Sequence, residues 1–337
     1  MTPWRDGQPG PRNAITDVPG LRVGQAEDKA AWTGVTVVLP DNPAVAACDI
    51  RGGGPGTRET DLLAPSAMVE RVHGICLSGG SAFGLDAASG VMEHLAGRGI
   101  GFPVGTARVP IVPAAILFDL LNGGDKAWTT PPYRALAIQA CEQASLDIAQ
   151  GNAGAGYGAK AGRLKGGLGT ASLRVGEDWV GALVAANPVG SVLHPGTLSF
   201  WAWPYEQLAE LGGQVPPSIP IANLAAWTDT ALPQLGANTT LAVVATDAPL
   251  TKADAQRVAI MAQDGLARAI RPVHTPFDGD SVFTLSTGDG SGVDPYRLAR
   301  LGQAAADCVA RAVARGVYEA ETLGAFPGYK SLQQKDV

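Results

Sequence analysis

The hydrophobic positions of this chain form short runs rich in valine and alanine, separated by glycine and polar residues. Runs of about four to eight such residues, bounded by turn residues, are typical of β-strands. Residues 169–190 carry two of these runs around Gly176, Glu177 and Asp178, which predicts an antiparallel hairpin. Further strands are predicted over 34–40, 44–50, 72–78, 239–246 and 281–288.

Longer segments show the three- and four-residue spacing of amphipathic helices. One apolar stripe begins after Thr251, and Asp254 is placed to complete a capping box with that threonine. The stripe consists of Val258, Met261, Ala262, Leu266 and Ile270. Further helices are predicted over 79–101, 133–149 and 296–317.

Strands and helices occur in separate runs, and the strands include a hairpin. This pattern favours an α+β fold of packed layers over a doubly wound parallel sheet, and it leaves the strand order open. The 337 residues suffice for one large domain or two ordinary ones. Residues 194–237 are rich in proline and tryptophan without a sustained period, so we expect a long surface loop or tether there.

Composition and charge narrow the classes of function. Only 17% of the residues are charged, and a net charge of −6 without a basic cluster argues against nucleic acid as a partner. No apolar run is long enough to span a bilayer, and the N-terminus lacks the pattern of a secretory signal. The histidines show no metal-ligand spacing, so neither a metal nor another cofactor is expected. Scattered cysteines are typical of buried thiols in a cytoplasmic protein: Cys48, Cys76, Cys141 and Cys308.

Two glycine-rich stretches invite comparison with phosphate-binding loops. "RGGGPGTRET" (51–60) lacks the G-K-[ST] ending, and "GGSAFGLD" (79–86) lacks the G-x-G-x-x-G spacing. We interpret the first as a tight loop near a site, with Arg51 or Arg58 available for an anion or an acidic neighbour. The second either caps a helix or directs free N–H groups at whatever lies in front of it.

Two polar motifs carry candidate chemistry beside an ordinary structural interpretation. Asn187, in "AANPVG", either ends a strand in a turn or donates its amide to a developing oxyanion. Asp278 and Asp280 flank a glycine in "HTPFDGD". They either occupy the corners of a turn or orient a hydroxyl or an amine.

The segment Asn238-Thr239-Thr240 suggests a further hypothesis besides an ordinary strand edge. A threonine hydroxyl is a poor nucleophile until a base removes its proton. An N-terminal threonine carries such a base in its own α-amine, with a pKa of about 7.7–8.0. Exposing that amine requires a cut before Thr239, made by attack of its hydroxyl on the preceding carbonyl group. A tether before the cut and a rigid strand after it suit this reaction.

A set of longer motifs occurs in order along nearly the whole chain: "NAITDVPGLRVGQAED", "DIRGGGPGTRETDLL", "ICLSGGSAFGLDAASGVMEHL", "AGAGYGAKAGRLKGGLGTAS", "ANPVG", "ANTTLAVVATDA" and "HTPFDGDSVFTLSTG". With these motifs the chain resembles the DmpA-type L-aminopeptidase/D-Ala-esterase-amidase and β-aminopeptidase family, which includes the nylon-oligomer hydrolase. The resemblance implies a single domain (1–337), an α+β four-layer αββα sandwich of the DmpA and ornithine-acetyltransferase type. It also implies a mechanism like that of N-terminal-nucleophile hydrolases.

The resemblance places self-cleavage between Asn238 and Thr239. It implies an α chain of residues 1–238, which ends in the tether 194–237, and a β chain of residues 239–337. Thr239 then becomes the nucleophile. Threonine after asparagine matches the nylon-oligomer branch, whereas aminopeptidase members carry serine at this point.

The same resemblance assigns roles to three further side chains. Asn187 matches the asparagine that holds the oxyanion. Asp278 and Asp280 match the acid pair of the nylon-oligomer branch and would orient the amine and hydroxyl of Thr239. Aminopeptidase members have serine and glutamate at these two positions.

The chain departs from the nylon-oligomer branch at two positions. Phe118 stands where the branch has a tyrosine, so a phenol donor is missing. Arg163 stands where the branch has a lysine, and an arginine stays charged at neutral pH and cannot serve as a proton carrier. Lys160 and Lys165 are candidates to replace that lysine, and Thr240 is a candidate for a supporting role.

Several functions fit the resemblance. An aminopeptidase or amidase acting on small peptides or amides is the main expectation, and an endo-acting hydrolase of amide oligomers is its alternative. An acyltransferase resembling ornithine acetyltransferase and an uncleaved, non-catalytic binding protein stand beside these. By resemblance alone, the processed protomers are expected to form a homo-oligomer, most simply a tetramer.

Overall fold

The computed structural model describes residues 7–217 and 238–333. The strands are β1 (Leu21–Asp28), β2 (Thr33–Pro40), β3 (Ala44–Ile50), β4 (Thr57–Arg58), β5 (Arg71–Val72), β6 (Ile75–Ser78), β7 (Phe102–Val104), β8 (Ala107–Val109), β9 (Ala114–Ile116), β10 (Lys160–Ala161), β11 (Leu164–Lys165), β12 (Gly167–Val175), β13 (Asp178–Asn187), β14 (Thr239–Thr246) and β15 (Ser281–Ser286). The helices are α1 (Ala87–Gly97), α2 (Tyr133–Glu142), α3 (Lys252–Ala269), α4 (Pro295–Tyr318) and α5 (Tyr329–Gln333).

In the described part of the chain, the strands assemble into two large sheets and two short hairpins. The five-stranded sheet has the order β1-β2-β6-β9-β4, and the six-stranded sheet has the order β12-β13-β14-β15-β3-β5. Strand β14 runs antiparallel to β13 and parallel to β15, so the six-stranded sheet is mixed. The hairpins pair β7 with β8 and β10 with β11.

Buried apolar side chains form a cluster in each of the three spaces between layers. The first lies between the five-stranded sheet and helices α1 and α2, and it contains Ala137. The middle cluster contains Leu77 of the five-stranded sheet and Phe283 of the six-stranded sheet. The third contains Val309 and lies between the six-stranded sheet and helices α3 and α4. The layers therefore follow the order helix, sheet, sheet, helix, which confirms the predicted αββα sandwich.

Strand β14 is buried along its whole length because it lies in the middle of a sheet that is covered on both faces. Such a strand is a continuous apolar run rather than an alternating one. The predicted bounds 239–246 and the hairpin of β12 and β13 are confirmed. The capping box before α3 is also confirmed, because Thr251 Oγ1 accepts from the Asp254 N–H at 3.2 Å and Asp254 Oδ2 accepts from the Thr251 N–H at 3.1 Å.

Two helix predictions were too long. The segment 79–101 begins as a 3-10 helix over Ser81–Asp86 and becomes α-helical only from Ala87. The segment 133–149 stays helical only to the end of α2, because Ser145 then exchanges two backbone hydrogen bonds with Val23 of β1. Pairing with a sheet edge takes this part of the chain out of the helix.

The first part of the predicted surface loop or tether 194–237, residues 194–217, is an irregular loop that is anchored to the core rather than a free tether. Phe200 and Leu211 are completely buried in the cluster beneath α3 and α4. The Glu210 side chain is 6% exposed and lies 2.6 Å from the guanidinium group of Arg311 on α4. Apolar anchors and a buried ion pair therefore attach this stretch to the core, while residues 218–237 lie outside the described residues. Within the described ranges, no helix has both the length and the apolar character that crossing a membrane requires.

Candidate active site

The end of β13 and the beginning of β14 place Asn187 directly opposite Thr239. Opposite residues of an antiparallel pair share a sheet face, with Cβ atoms about 4.5–5.5 Å apart. Asn187 is completely buried and Thr239 is 3% exposed. The sheet register therefore brings together the predicted oxyanion holder and the predicted nucleophile, which are far apart in sequence.

The peptide group between Asn238 and Thr239 has an unusual set of contacts. The Thr239 hydroxyl donates to the Asn238 carbonyl oxygen, and the Oγ1–O distance is 2.5 Å. The Gly279 N–H donates to the same oxygen at 3.1 Å. The hydroxyl thus lies beside the carbonyl group that it would have to attack, and a second donor polarises that group.

The Asn187 side chain is fixed by two backbone groups. Its Oδ1 accepts from the Lys160 N–H at 2.9 Å, and its Nδ2 donates to the Phe118 carbonyl oxygen at 3.2 Å. The first bond determines which end of the amide carries the donors. Because both ends are held, the amide keeps one orientation beside Thr239.

Asp280 links β14 to the turn that precedes β15. Its Oδ1 accepts from the Thr240 N–H at 2.8 Å, and its Oδ2 lies 3.1 Å from the His274 backbone nitrogen and 2.9 Å from the His274 ring Nδ1. The carboxylate therefore reaches the strand one residue beyond Thr239. Sequence reasoning considered His274 only as a metal ligand, although its place six residues before Asp280 in "HTPFDGD" was a signal of proximity.

Asp278 stabilises the turn itself. Its Oδ1 accepts from the Val189 N–H at 3.1 Å, and its Oδ2 accepts from the Thr275 N–H at 2.9 Å and from the Thr275 hydroxyl at 2.6 Å. Burial raises the pKa of Asp278, and the neighbouring charge of Asp280 raises it further. Both predicted acids lie at the site, and Asp278 occupies the corner of a turn, as its ordinary structural interpretation predicted.

The glycine-rich loop 51–60 packs on this turn. The N–H groups of Gly52 and Gly54 donate to the carbonyl oxygens of Asp280 and Asp278, at 3.2 and 2.8 Å. A Cβ atom on Gly52 would lie 2.3 Å from the Asp280 nitrogen, so only glycine permits this approach. The loop is tight, as predicted, and it lies at the candidate site. Arg51 pairs with the acidic neighbour Asp49 at 2.7 Å.

The N–H groups at the start of the 3-10 helix Ser81–Asp86 also have a partner within the chain. Gly80 donates to Oδ1 of Asp119 at 2.8 Å, and the Thr33 hydroxyl donates to Oδ2 at 2.6 Å. Burial raises the pKa of Asp119 to about 6. Sequence reasoning missed this residue, which directly follows Phe118 in the loop after β9.

The remaining candidates differ in their environment. Arg163 is exposed in the turn between β10 and β11. Lys160 is half-buried, and burial lowers the pKa of its ammonium group. Lys165 is completely buried, and its Nζ donates to the carbonyl oxygens of Gly156 and Gly166 at 3.1 and 2.8 Å. Burial lowers the pKa of Lys165 to about 7, so this lysine can exchange a proton near neutral pH.

Thr240 contributes only its backbone. The Thr240 N–H donates to Asp280. The buried Thr240 hydroxyl, by contrast, has no hydrogen-bond partner within residues 7–217 and 238–333. Successive residues of a strand point to opposite faces, so this hydroxyl points away from the face of Thr239 and Asn187. As for metals, no three His, Cys, Asp or Glu side chains come together as a ligand set in the described ranges.

Lys165 gives the stability of the protein a pH dependence of defined sign. Its pKa is near 7 in the folded chain and about 10.4 when unfolded. Between these values the unfolded chain binds more protons, so the contribution of Lys165 to stability rises with pH. We expect the wild-type free energy of unfolding, relative to Lys165→Met, to rise from about pH 7 to about pH 10, by at most about 1.4 kcal/mol per pH unit.

Urea unfolding of both proteins across this pH range measures the difference. Lys160→Met is the matched control, because Lys160 lies opposite Lys165 in the β10–β11 hairpin but is only half-buried. Its difference from wild type should depend less on pH. A wild-type advantage over Lys165→Met that stays constant with pH would contradict a neutral lysine in the folded chain.

Comparison with known proteins agrees with this geometry. Residues 13–331 match the family model of peptidase family S58. An uncharacterized aminopeptidase of Mycobacterium tuberculosis is 44% identical over 345 residues, covering 95% of this chain and 98% of the relative. The 6-aminohexanoate-oligomer endohydrolase of an Agromyces strain is 30% identical over 281 residues, covering 81% of this chain and 74% of the relative.

The fold has a counterpart among solved structures. The L-aminopeptidase D-Ala-esterase/amidase of Ochrobactrum anthropi, whose structure is described as a variant of the Ntn-hydrolase fold, matches with a TM-score of 0.73 at 22% identity. The match covers 98% of this chain and 95% of that chain. The resemblance seen in the sequence motifs is confirmed. The chain therefore belongs to peptidase family S58 and is a hydrolase of peptide or amide bonds.

Proposed function

We propose that the chain cuts itself between Asn238 and Thr239 and that Thr239 then serves as an N-terminal nucleophile. The observation that carries this proposal is the 2.5 Å distance between Thr239 Oγ1 and the Asn238 carbonyl oxygen. Two further features support it: the buried strand β14 holds the threonine in place, and Gly279 donates to the same carbonyl oxygen. The products are an α chain of residues 1–238 and a β chain of residues 239–337.

In the processed enzyme, the free α-amine of Thr239 acts as the base that removes the proton from its hydroxyl. The hydroxyl attacks the carbonyl carbon of the substrate, and Asn187 stabilises the oxyanion that forms. The amine product leaves, and water hydrolyses the acyl-Thr239 ester. Asp280 fixes the strand through the Thr240 N–H, and Asp278 holds the turn that presents Asp280.

Lys165 is a further candidate in this scheme. It lies in β11, which pairs with the strand β10 whose Lys160 N–H holds Asn187. Its lowered pKa suits a proton carrier at neutral pH, which Arg163 cannot be. Phe118 contributes its backbone carbonyl group rather than a phenol.

The proposed substrates are small peptides or amides, and the proposed activity is that of an aminopeptidase or amidase. The 44% identity to a mycobacterial aminopeptidase along nearly the full length supports this choice. The second candidate is endo-hydrolysis of amide oligomers, the activity in the name of the Agromyces relative. It is favoured by Thr239 and by the acid pair Asp278 and Asp280, which resemble the nylon-oligomer branch.

Two further properties belong to the proposal. The four cysteines are free thiols, three of them buried, which supports a reducing compartment such as the cytoplasm. A homo-oligomer of processed protomers, most simply a tetramer, is proposed from the family resemblance.

The acyltransferase alternative differs in its acceptor, so adding amines to the hydrolysis assay separates transfer from hydrolysis.

The deciding experiment is the intact mass of the purified protein under denaturing conditions. We expect two species whose masses correspond to residues 1–238 and 239–337. The cut protein should release amine from small peptides or from amide oligomers, and comparing end-blocked with free substrates separates exo from endo action. A single chain of 34.4 kDa that hydrolyses none of them would reject the proposal.

A further inference from the structure

Self-cleavage and turnover would be two different reactions at one threonine. In self-cleavage, the attacked carbonyl group belongs to Asn238 and is part of the folded chain. In turnover, it belongs to a substrate that arrives after Asn238 has been released. Each reaction places a negative charge on a carbonyl oxygen, and each therefore needs a hydrogen-bond donor at that oxygen.

The donors at the Asn238 carbonyl oxygen are visible in the uncut chain. The Gly279 N–H donates at 3.1 Å, and the only other contact seen in the described residues comes from the attacking hydroxyl of Thr239. Asn187 directs its Nδ2 at the Phe118 carbonyl oxygen instead. One N–H of this amide is thus used by the Phe118 carbonyl group, and the described residues show no hydrogen bond from the amide to the Asn238 carbonyl oxygen.

We propose that the backbone N–H of Gly279 is the oxyanion donor of self-cleavage, and that the two reactions at Thr239 use different oxyanion donors. This inference rests on the proposed self-cleavage. It assigns a direct catalytic contact to a backbone group in the turn between the two acids, and it leaves Asn187 for the substrate.

The proposed step balances as a shift of the acyl group from nitrogen to oxygen, followed by hydrolysis. Thr239 Oγ1 bonds to the Asn238 carbonyl carbon, and Gly279 holds the resulting oxyanion. The carbon–nitrogen bond then breaks, and the nitrogen of Thr239 gains the proton that its hydroxyl lost. Solvent water finally adds its oxygen to the carbonyl carbon, and the bond between this carbon and Oγ1 breaks as a proton of the water passes to Oγ1. This leaves a carboxyl group on Asn238 and a free amine on Thr239.

The turn holds the Gly279 N–H in place before any charge forms. Asp278 forms an isolated parallel bridge with Asn238, and the Asp278 carbonyl oxygen accepts from the Gly54 N–H at 2.8 Å. A Cβ atom on residue 279 would lie 2.6 Å from Thr239 Oγ1, so a side chain here would displace the nucleophile. Glycine is therefore required for close approach, and its donor is preorganised in the manner of an oxyanion hole.

Backbone ester substitution tests the assignment. Glycolic acid in place of Gly279 during cell-free translation of the full chain replaces the N–H with an oxygen atom and adds no side chain. The matched control is glycolic acid in place of Gly54. The control removes the 2.8 Å hydrogen bond from the Gly54 N–H to the Asp278 carbonyl oxygen. An ester at position 279 weakens the same hydrogen bond, because it makes the Asp278 carbonyl oxygen a poorer acceptor.

The fraction of cut chain is followed over time on denaturing gels. We expect the glycolate-279 chain to be cut about 10²–10³-fold more slowly than the glycolate-54 chain. The temperature at which each uncut chain becomes protease-sensitive should be the same within a few degrees.

Equal cleavage rates for the two esters would overturn the inference while leaving self-cleavage intact. A glycolate-279 chain that becomes protease-sensitive at a much lower temperature than its control would also overturn it, by assigning the N–H a structural role. A wild-type chain that stays uncut would reject the proposed self-cleavage, and the inference would fail with it.

Discussion

Thr239→Ala is expected to leave one uncut chain of 34.4 kDa with no hydrolytic activity. The Thr239 hydroxyl is the group that lies 2.5 Å from the Asn238 carbonyl oxygen, and alanine has no atom that can attack the carbonyl carbon. The same hydroxyl would carry the acyl group during turnover. Intact mass and amine release from small amides measure the two losses separately.

Thr240→Ala is the matched control for this prediction. Thr240 is also a buried threonine of β14, but its hydroxyl has no partner in the described residues and lies on the opposite face of the sheet. The N–H that it donates to Asp280 remains in the variant. We expect this variant to be cut and to hydrolyse amides. If the Thr240→Ala chain stayed uncut while the Thr239→Ala chain was cut, the assignment of Thr239 as the nucleophile would be wrong.

Local patterns predict the elements because their signals lie within a few residues. The capping box of Thr251 and Asp254 needs only its own turn, and the apolar run of β14 reflects burial on both faces. The sequence motifs also pointed to Thr239, Asn187 and Asp280 as candidate site residues, and the structure brings these three together at one end of the six-stranded sheet.

Other features could not be predicted because they depend on long-range packing. The burial that lowers the pKa of Lys165 to about 7 arises from the whole surrounding fold, and no local spacing indicates it. The anchoring of 194–217 depends on Arg311 of a distant helix. The donor that Gly279 supplies is a backbone group, so residue types carry no direct sign of it.

Asn187→Ala is expected to separate turnover from self-cleavage. Loss of one oxyanion donor lowers turnover by about 10²–10³-fold. The cut should still occur, because the Asn238 carbonyl oxygen accepts from Gly279 and not from Asn187. The variant also leaves the Lys160 N–H and the Phe118 carbonyl oxygen unpaired, which costs about 1–3 kcal/mol of stability. Amine release, intact mass and urea unfolding measure these three effects.

Asn122→Ala is the control for stability. Asn122 is another buried asparagine held by backbone groups, since its Nδ2 donates to the carbonyl oxygens of Trp32 and Gly158 at 2.7 and 3.1 Å. This variant should lose a similar amount of stability but keep its turnover within a few-fold. If Asn187→Ala turns over amides as fast as Asn122→Ala, then Asn187 is only a structural bridge between β13 and its neighbours. If Asn187→Ala instead stays uncut, the same amide serves both reactions, and the separation of the two oxyanion sites fails.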